Sequence, residues 1–339
     1  MLSIISPKRF SELISAFSSI RPVLVVGDVG VDKYTIGSVR RVSPEAPVPV
    51  LEVNEEFTKL GLASNVSNNL KSLGIESTLC GVVGQDSKAD IFTELLRKAG
   101  ISAEGVIQAT NRMTTFKERV TTAGQQICRV DYETIEPLDK SLEDSFTQRV
   151  INLKSSHAGL IIEDYGKGVL TQKVLADIID RFTSEGMVVT IDPSRTTPPQ
   201  YYKGATLLKP NLLEATKMVQ ALGHSEKALE RISEILVEKL KLSKLVITLG
   251  GEGMALLDTK ASGKLEYIPT VASEVFDVSG AGDTAISLIT AGLLAGGSLA
   301  EACWLGNCGS GVVVGKRGTA TVNTQELSEY YHRITQKLK

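Results

Sequence analysis

The sequence contains few of the residues that metal and histidine chemistry require. Its 339 residues include three histidines, at widely separated positions, and four cysteines. Because no two cysteines form a CxxC pair, zinc binding and histidine-based catalysis are both disfavoured. The cysteines are better interpreted as small apolar residues, buried in a protein of the reducing cytoplasm. They are Cys80, Cys128, Cys303 and Cys308.

Long runs of one residue class are also absent. No apolar stretch approaches the roughly 18 residues of a membrane helix. The net charge is −2, and no long run of lysine or arginine accompanies it. We therefore expect no membrane or nucleic-acid partner and favour a small-molecule ligand. At the N-terminus, Ser6 and Pro7 precede apolar residues at helical spacing, which predicts a docking helix rather than a signal peptide.

What the sequence does contain is a regular alternation of short apolar runs and amphipathic segments. The β-branched runs occupy residues 23–26, 159–162, 187–191, 206–208 and 245–249. The amphipathic segments lie near residues 64–73, 86–98, 171–184, 211–222 and 225–241. This pattern predicts an α/β fold with a mainly parallel sheet covered by helices. With 42% hydrophobic residues, the chain can form one large domain over residues 1–339.

Polar residues come directly after the apolar runs. They are Asp28, Glu163 with Asp164, Asp192, Lys209, and Gly250 with Gly251. Ligands of parallel α/β sheets bind beyond the carboxyl ends of the strands, so these groups are predicted to meet in one cleft. A single polar residue after a strand is ordinary loop chemistry, whereas its repetition after every run favours a site.

Two stretches break the alternation. Residues 33–55 contain three prolines, and residues 112–133 contain two short strand patterns around Gly124. Both predict antiparallel strands of a small projecting sheet, with proline confining the first stretch to an edge or an arm. Such a sheet can cover the cleft as a lid or pair with a second subunit, so we expect a homodimer formed through these strands.

A glycine-rich turn at residues 277–284 leads into an apolar helix pattern. Ser279 is placed to cap that helix, while Gly280 and Gly282 lack the side chains that would block an approaching anion. The N–H groups of Gly280, Ala281 and Gly282 can stabilise a transferred phosphoryl group. The turn therefore suits the phosphates of a nucleotide.

One acid, Asp283, stands at the start of that helix. A carboxylate repels the anion that the turn would attract, so its presence favours a general base that deprotonates an attacking hydroxyl, as in phosphoryl transfer. Taken alone, the turn is equally compatible with a capped helix whose acid complements the helix dipole. A dinucleotide-binding fingerprint and a Walker A loop are disfavoured, because the turn opens no βαβ unit and no GxxxxGK followed by serine or threonine occurs.

The motif DVSGAGDT, residues 277–284, resembles the signature of the ribokinase-like (PfkB) sugar kinases. Further segments resemble this family, and the likeness runs from Val23 to about Val322. They are residues 61–65, 83–86, Lys209-Pro210-Asn211 with Glu214, and 248–254. The resemblance implies a ribokinase-like three-layer α/β sandwich with a small projecting β-sheet lid. It also implies an ATP-dependent carbohydrate kinase that uses Mg²⁺ and binds a sugar or sugar phosphate.

Within the family, several runs resemble the bacterial kinases of D-glycero-β-D-manno-heptose 7-phosphate. The most specific run is SPEAPVPV, residues 43–50, and the others are residues 28–34, 125–131, 164–168 and 314–321. This likeness implies phosphorylation of the anomeric hydroxyl to give the 1,7-bisphosphate, a precursor of ADP-heptose and the lipopolysaccharide core. Such kinases are often fused to an adenylyltransferase domain, and this sequence, which ends at Lys339 without one, resembles the single-function form.

Leu62 departs from the family pattern. Many relatives have paired glycines where this chain has Gly61-Leu62, and the added bulk lies next to the expected sugar pocket. One alternative is therefore another PfkB-type kinase that acts on ribose, fructose or a related sugar phosphate. A second alternative, from a different class, is a sugar-binding sensor without catalysis, which the intact Asp283 disfavours.

The resemblance implies roles for individual residues on the sugar side. Asp32, Gly61 and Asn65 are expected to bind the sugar, although Asn65 also fits an ordinary helix cap. A 7-phosphate requires cations at the end of the sugar away from ATP. The candidates are Lys117, Arg119 and Arg129, with Lys33 and Arg41 close by, and a solvated strand face is the alternative for each of them.

The resemblance likewise implies a nucleotide side. The expected ATP-binding residues are Lys209, Asn211, Glu214, Thr248, Gly250, Gly251, Gly253 and Asn307. Asn211 and Glu214 stand one helical turn apart and are expected to organise Mg²⁺ through water. The glycines at 250–253 also fit a tight turn between two strands. A monovalent cation such as K⁺ near Asp277 and the 316–319 loop is compatible with the family pattern.

Overall fold

A computed structural model describes residues 4–122, 124–272, 275–316 and 318–337. The strands in this part of the chain are β1 (Val23–Gly27), β2 (Val29–Val42), β3 (Pro49–Leu62), β4 (Ser77–Gly84), β5 (Ser102–Ala109), β6 (Thr115–Thr121), β7 (Gln126–Tyr132), β8 (Gly159–Glu163), β9 (Val188–Asp192), β10 (Leu207–Leu208), β11 (Lys244–Thr248), β12 (Met254–Asp258) and β13 (Leu265–Ile268).

The helices of the same part are α1 (Pro7–Ala16), α2 (Ala63–Ser72), α3 (Ser87–Ala99), α4 (Lys140–Leu153), α5 (Gln172–Thr183), α6 (Leu212–Ala221), α7 (Leu229–Leu240), α8 (Ala281–Leu294), α9 (Leu299–Val313) and α10 (Thr324–Lys337). The N-terminal helix is confirmed as α1, whose N-cap Ser6 accepts the Arg9 N–H at 3.3 Å. None of the helices in the described ranges combines the length and apolar character needed to cross a membrane.

The main sheet has the strand order β13-β12-β11-β10-β9-β8-β1-β4-β5. Its strands are parallel, apart from β12, which pairs antiparallel with both β11 and β13 near one edge. The central strand β1 alternates between two cores: Val23 and Val25 pack into one, Leu24 and Val26 into the other, and all four are fully buried. Helices α1–α3 and α8–α10 cover the first core, and α4–α7 cover the second. The predicted three-layer α/β sandwich is therefore confirmed.

A separate small sheet has the order β3-β2-β6-β7. Its outer pairs are antiparallel, as predicted, but the central pair, β2 with β6, is parallel. The described part of β6 pairs with β2 only as far as Ile36, so β2 and β3 continue beyond it as a two-stranded ribbon. The SPEAPVPV run forms the tip of this ribbon. Several valines of the ribbon are 40–64% exposed, namely Val39, Val42, Val48 and Val53.

Some local predictions were incomplete. The strands β4 and β5 and the helix α4 have no counterpart among the predicted runs, because their sequences mix apolar with small or charged residues. The cysteines were predicted to be buried, and Cys80, Cys303 and Cys308 are, whereas Cys128 is exposed on β7. β7 is an edge strand of the small sheet and is exposed along almost its whole length, Cys128 included.

Candidate active site

The carboxyl ends of the parallel strands open into a cavity of about 640 Å³. Acidic, basic and small residues from the loops after β8, β9, β10 and β11 form its wall. The lining includes Glu163, Asp164, Tyr165, Asp192, Lys209, Asn211, Glu214, Thr248, Gly250, Gly282 and Asp283. The structure thus brings together most of the polar residues predicted at the strand ends. Asp28 lies instead beneath the loop at residues 164–168.

Asp283 lies in the first turn of α8, at the wall of this cavity, and is 9% exposed. Each of its carboxylate oxygens accepts one hydrogen bond. Asn65 Nδ2 donates to Oδ2 at 2.6 Å, and the Tyr165 hydroxyl donates to Oδ1 at 3.0 Å. Burial raises the pKa of Asp283 above its ordinary value, although the two donors oppose that shift. A carboxylate in this environment is suited to accept a proton from a bound hydroxyl.

The turn before α8 differs in one detail from its prediction. Gly280 is the N-cap, at φ 81°, and no side chain caps the helix, so the prediction that Ser279 caps it was wrong. The Ser279 N–H donates instead to Asp277 Oδ1 at 2.9 Å. A Cβ at Gly280 would lie 3.1 Å from Asn65 Nδ2, so glycine at this position provides both the left-handed conformation and the room for Asn65.

Ala281 and Gly282 complete the turn. The Ala281 N–H donates to the Val278 carbonyl oxygen at 3.2 Å, within the turn itself. A Cβ at Gly282 would lie 3.5 Å from Asp192 Oδ2 and 3.7 Å from Lys209 Nζ. The start of α8 is therefore adjacent to the charged wall of the cavity, where the helix dipole favours an anion.

Three carboxylates share that wall with one lysine. The oxygens of Glu163, Asp192 and Asp283 lie within 4.8 Å of one another, and Lys209 Nζ pairs with Asp192 at 2.6 Å. Burial raises the pKa of Asp192 to about 6 and raises the pKa of Glu163 well above its ordinary range. Burial works against the charge of Lys209, but the adjacent Asp192 carboxylate raises the pKa of the lysine. The wall therefore retains its cation and favours the protonated form of Glu163.

Asp28 holds the loop at residues 164–168 through hydrogen bonds to its backbone. Its Oδ2 accepts the N–H groups of Tyr165 at 2.9 Å and Lys167 at 3.0 Å. Burial, together with the Asp164 carboxylate, raises the pKa of Asp28 to about 6, and its Oδ1 has no partner among the described residues. Asp164 in turn accepts the Tyr202 hydroxyl at 2.8 Å. Two buried acids thus fix the loop that carries Tyr165.

A second cavity, of about 280 Å³, adjoins the first. Four residues line both cavities: Thr248, Gly250, Val278 and Gly282. The rest of its lining is mainly small or apolar, with Gly251, Gly253, Met254, Ala285, Asn307 and Val314 among its members. Gly253 adopts φ 101°, and a Cβ there would lie 2.1 Å from the Ile268 carbonyl oxygen, so glycine is required. Such a narrow apolar space suits a planar ring.

Asn211 and Glu214 begin α6 as reciprocal caps. Asn211 Oδ1 accepts the Glu214 N–H and Glu214 Oε2 accepts the Asn211 N–H, both at 2.9 Å. The other carboxylate oxygen, Glu214 Oε1, lies 3.3 Å from Arg195 Nε. These are hard oxygen donors at the wall of the polar cavity, a set that fits a hydrated Mg²⁺ held through water. The two capping hydrogen bonds are also sufficient to explain why asparagine and glutamate occur at these positions, without any metal.

The small sheet carries the expected residues Asp32, Gly61, Lys117, Arg119 and Arg129, which do not line the 640 Å³ cavity, although the charge of Asp32 acts on Asp283. Asp32 is 6% exposed, and Arg119 Nη1 donates to its Oδ1 at 2.6 Å. A Cβ at Gly61 would lie 2.8 Å from Asp32 Oδ2, so any side chain there would displace this carboxylate. The next residue, Leu62, adopts φ 56°, a left-handed conformation that glycine tolerates best. The departure at Leu62 therefore coincides with a strained backbone position.

The predicted cations of the small sheet divide by how they are paired. Lys33 contacts two glutamates at 3.2 and 3.3 Å, and Arg129 pairs with Asp131 at 2.8 Å. Lys117 forms no salt bridge with a described residue, and its ammonium lies 6.0 Å from the centre of the Tyr165 ring. Burial and the nearby Lys167 lower the pKa of Lys117. Lys117 is thus a half-buried cation whose charge is not neutralised by a salt bridge with a described acid, unlike those of Lys33 and Arg129.

Two residues were not singled out from the sequence: Tyr165 in the wall of the cleft, and Lys59, which lines a separate cavity together with Asn65. Tyr165 contacts Asp283 through its hydroxyl, and its only sequence signal was the DYGKG run at residues 164–168. Lys59 lies opposite Asp32 in the β2–β3 register, and its Nζ donates to the Thr319 carbonyl oxygen at 3.2 Å. The alternation of β3 could have indicated Lys59, because it stands two residues before Gly61 on the same face.

The segment expected near a monovalent cation is partly described. Asp277 Oδ2 accepts the Gly318 N–H at 3.1 Å, which joins the turn before α8 to the loop after α9. Arg317, within the predicted 316–319 loop, lies outside the described residues. The cation site itself stays a prediction.

These features define the class of protein: an α/β fold with a charged cleft at the strand ends, a glycine-capped helix and a buried carboxylate in the first turn of that helix. The model of the pfkB family of carbohydrate kinases matches residues 24–326. The chain therefore belongs to the pfkB carbohydrate kinase family. Both the family and the enzyme class predicted from the sequence are confirmed.

Curated relatives include two bifunctional HldE proteins. That of Citrifermentans bemidjiense is 40% identical over 314 residues, and that of Wolinella succinogenes is 39% identical over 316 residues. The alignments cover 91% and 93% of this chain, but 63% and 66% of the respective relatives. The chain thus spans slightly less than two thirds of the length of these proteins.

Solved structures with the same fold include two sugar kinases. The ribokinase of Thermotoga maritima gives a TM-score of 0.74 at 18% identity, covering 92% of this chain and 99% of that one. The phosphofructokinase-2 of Escherichia coli, solved in complex with potassium, also gives 0.74 at 18% identity, covering 93% of this chain and 99% of that one. At this level of identity the likeness shows the fold, and it confirms the ribokinase-like fold predicted from the sequence.

Proposed function

We propose that this chain is an ATP-dependent kinase of D-glycero-β-D-manno-heptose 7-phosphate. It transfers a phosphoryl group to the anomeric hydroxyl and releases the 1,7-bisphosphate, an early precursor of ADP-heptose and the lipopolysaccharide core, with ADP. Family membership supports a carbohydrate kinase, and the SPEAPVPV and DYGKG runs support the heptose phosphate. The observation that carries the proposal is the buried Asp283 carboxylate, held by two donors beside the glycine turn that begins α8.

We place ATP across the two adjoining cavities. The triphosphate belongs in the larger one, next to Lys209 and the first turn of α8, where a cation and a helix N-terminus both favour an anion. The adenine belongs in the smaller apolar one, beside Asn307 and the glycines at 250–253. Mg²⁺, when bound, neutralises phosphate charge, and Asn211 and Glu214 are the residues that would hold it through water.

The sugar is placed between the small sheet and α8. Asp32 and Asn65 are proposed to accept and donate hydrogen bonds to its hydroxyls, with Gly61 leaving room for the ring. Because Asn65 contacts Asp283 directly, a hydroxyl bound at Asn65 is also adjacent to the base. The 7-phosphate is assigned to Lys117, Arg119 and Arg129, of which Lys117 is the least compensated within the described chain.

In the proposed reaction, Asp283 takes the proton as the anomeric O–H bond breaks. The freed oxygen pair forms a bond to the γ-phosphorus, and the bond from that phosphorus to the β–γ bridging oxygen breaks, so its electrons leave with ADP. The N–H groups of Gly280, Ala281 and Gly282 are assigned to the charge that develops on the phosphoryl oxygens. The Ala281 N–H, engaged with Val278 in this structure, would have to change partner.

A homodimer formed through the small sheet is part of the proposal. A two-stranded ribbon is marginally stable alone in water, and this one exposes four valines, so a second copy is the natural cover. Light scattering at micromolar concentration should give twice the mass of the chain. A monomer under those conditions would contradict the dimer without touching the kinase assignment.

The decisive experiment is a substrate panel with purified protein and MgATP. Heptose 7-phosphate, ribose, fructose and fructose 6-phosphate are compared by ADP release, and ³¹P NMR reads the position of the new phosphate. Consumption of the heptose phosphate with a new anomeric phosphate is expected. Turnover of another sugar alone would establish the alternative kinase, which the departure at Leu62 leaves open, and binding without turnover would establish a sensor.

A further inference from the structure

Tyr165 is the one side chain besides Asn65 that donates to Asp283 in the described chain. It stands in the loop after β8, and its hydroxyl lies 3.0 Å from Asp283 Oδ1, while Asn65 Nδ2 lies 2.6 Å from Oδ2. The two donors differ chemically. An amide NH₂ can only donate, whereas a hydroxyl can rotate and accept once the carboxyl group has taken up a proton.

We propose that Tyr165 is a positioning residue, which holds Asp283 ionised and aimed at the sugar hydroxyl and can reverse its hydrogen bond when that proton arrives. The inference rests on the proposed role of Asp283 as the base. The hydrogen bond fixes Oδ1, and the Asn65 bond fixes Oδ2, so the plane of the carboxylate is set from both sides. A base fixed in this way avoids reorientation during the reaction.

The charges around Asp283 show why such a donor is needed. The groups that face it are Glu163 on β8, Asp192 on β9, Lys209 after β10 and Asp32 on β2. Three of these four are acids, and burial adds to their effect by raising the pKa of Asp283. Hydrogen bonds to the carboxylate favour its ionised form and oppose this shift. Burial and the nearby acids also raise the pKa of Tyr165 well above its ordinary value, so it stays a donor.

The loop holds Tyr165 in one place. Its N–H donates to Asp28 Oδ2 at 2.9 Å, and the next residue but one, Lys167, donates to the same oxygen at 3.0 Å. Lys117 Nζ lies 6.0 Å from the centre of the Tyr165 ring. The tyrosine is therefore anchored at its backbone and flanked at its ring, independently of Asp283.

The test is Tyr165→Phe, with Tyr202→Phe as the matched control. Tyr202 is fully buried, and its hydroxyl donates to Asp164 Oδ2 at 2.8 Å, so the control removes an equivalent bond from a neighbouring acid. Loss of the donor disfavours ionised Asp283, so the acidic limb of the kcat–pH profile should move up by about one pH unit. At a fixed pH on the acidic limb kcat should fall about tenfold and recover on the plateau at higher pH, with both KM values within about twofold. Tyr202→Phe should leave the limb in place.

Two measurements keep the test decisive. Replacing Tyr165 by a fluorotyrosine strengthens the donor without removing it, and should move the limb to lower pH. The ionisation of Asp283 can also be followed by ¹³C NMR of its carboxyl carbon, identified by its loss in Asp283→Asn, and this needs no substrate. A failed heptose assay would thus sink the substrate assignment alone. A carboxyl titration that is the same in wild type and Tyr165→Phe would overturn the role of Tyr165.

Discussion

The main sheet with its covering helices, here called the body, and the small sheet differ in how far their charged side chains are buried. In the body, Asp283 and Glu163 are 9% and 2% exposed and have oxygens within 4.8 Å of each other, and Lys209, 3% exposed, pairs with the adjacent Asp192. In the small sheet, apart from the largely buried Asp32–Arg119 pair, charges are paired near solvent. The side chain of Arg129, which pairs with Asp131, is 49% exposed, and that of Glu56, which pairs with Lys33, is 63% exposed.

This difference in burial suits the body to catalysis and the small sheet to ligand binding. Buried charges interact strongly because little water screens them, so the body can shift pKa values and organise a reaction. Exposed pairs contribute about 0–1 kcal/mol, and they can exchange partners when a ligand arrives. We therefore expect substitutions in the body to change kcat or stability, and substitutions in the small sheet to change the KM of the sugar phosphate.

The largest expected effect is that of Asp283→Asn. Asparagine keeps the shape of the side chain but cannot take up the proton, so kcat should fall by a factor between about 10² and 10⁴. The KM values for ATP and sugar should stay within about threefold, because the ground-state contacts are preserved. Steady-state kinetics measure both.

A matched control for this substitution is Asp258→Asn. Asp258 is also 9% exposed and forms an ion pair, with Lys244, but it lies on β12 at the edge strands of the main sheet. Its variant should lose stability without loss of kcat. Full turnover by Asp283→Asn would contradict the role of Asp283 as the base. It would also contradict the assignment of catalysis to the body.

The sequence predicted the body well because its strands are buried on both faces. Such strands appear as continuous apolar runs, and β1, β8, β9 and β11 were located to within a residue or two. The strand β5 was missed, because it lies at the sheet edge and its sequence, SAEGVIQA, mixes small and polar residues with few large apolar ones. Asp283 was identified because its turn is a local signal, complete within eight residues of sequence.

The partners of these residues could not be predicted in the same way. The Tyr165–Asp283 bond joins residues 118 positions apart, and the Arg119–Asp32 bond joins residues 87 apart. Which cation of the small sheet is already neutralised depends on register across four strands, which no local pattern specifies. The choice between Lys117 and Arg129 therefore became possible only with the fold in hand.

The next largest effect concerns stability and comes from Asp28, a buried acid of the body. Its pKa is raised from 3.8 to about 6, so the folded state binds this proton more tightly than the unfolded state. The stabilisation, about 3 kcal/mol in full, is present below the unfolded pKa and is lost as pH rises through the folded pKa. In Asp28→Asn this contribution should be absent, so wild type should lose stability relative to the variant between about pH 4 and pH 7.

Asp86 provides the control with the opposite sign. Burial opposes its ionisation, but hydrogen bonds from Thr114 lower its pKa below the ordinary value. Its contribution is therefore present above the unfolded pKa and lost as pH falls, so Asp86→Asn should change the pH dependence in the reverse direction. Urea unfolding at several pH values measures the free energy of unfolding of both variants. If this free energy depended on pH in the same way in the two variants, the assigned pKa shifts would be contradicted.

The smallest effect should be found in the small sheet, where Lys117→Ala and Arg129→Ala can be compared directly. Lys117 is half-buried and makes no salt bridge within the described residues, so its loss should raise the KM for the sugar phosphate about tenfold, the scale of one charge-assisted contact. Arg129 is already satisfied by Asp131 near solvent, and its loss should change KM less than about twofold. An unphosphorylated sugar should show no difference between the variants. Equal effects of the two substitutions would mean that pairing does not decide which cation holds the phosphate, and a KM change that persists without the phosphate would move Lys117 to the sugar ring.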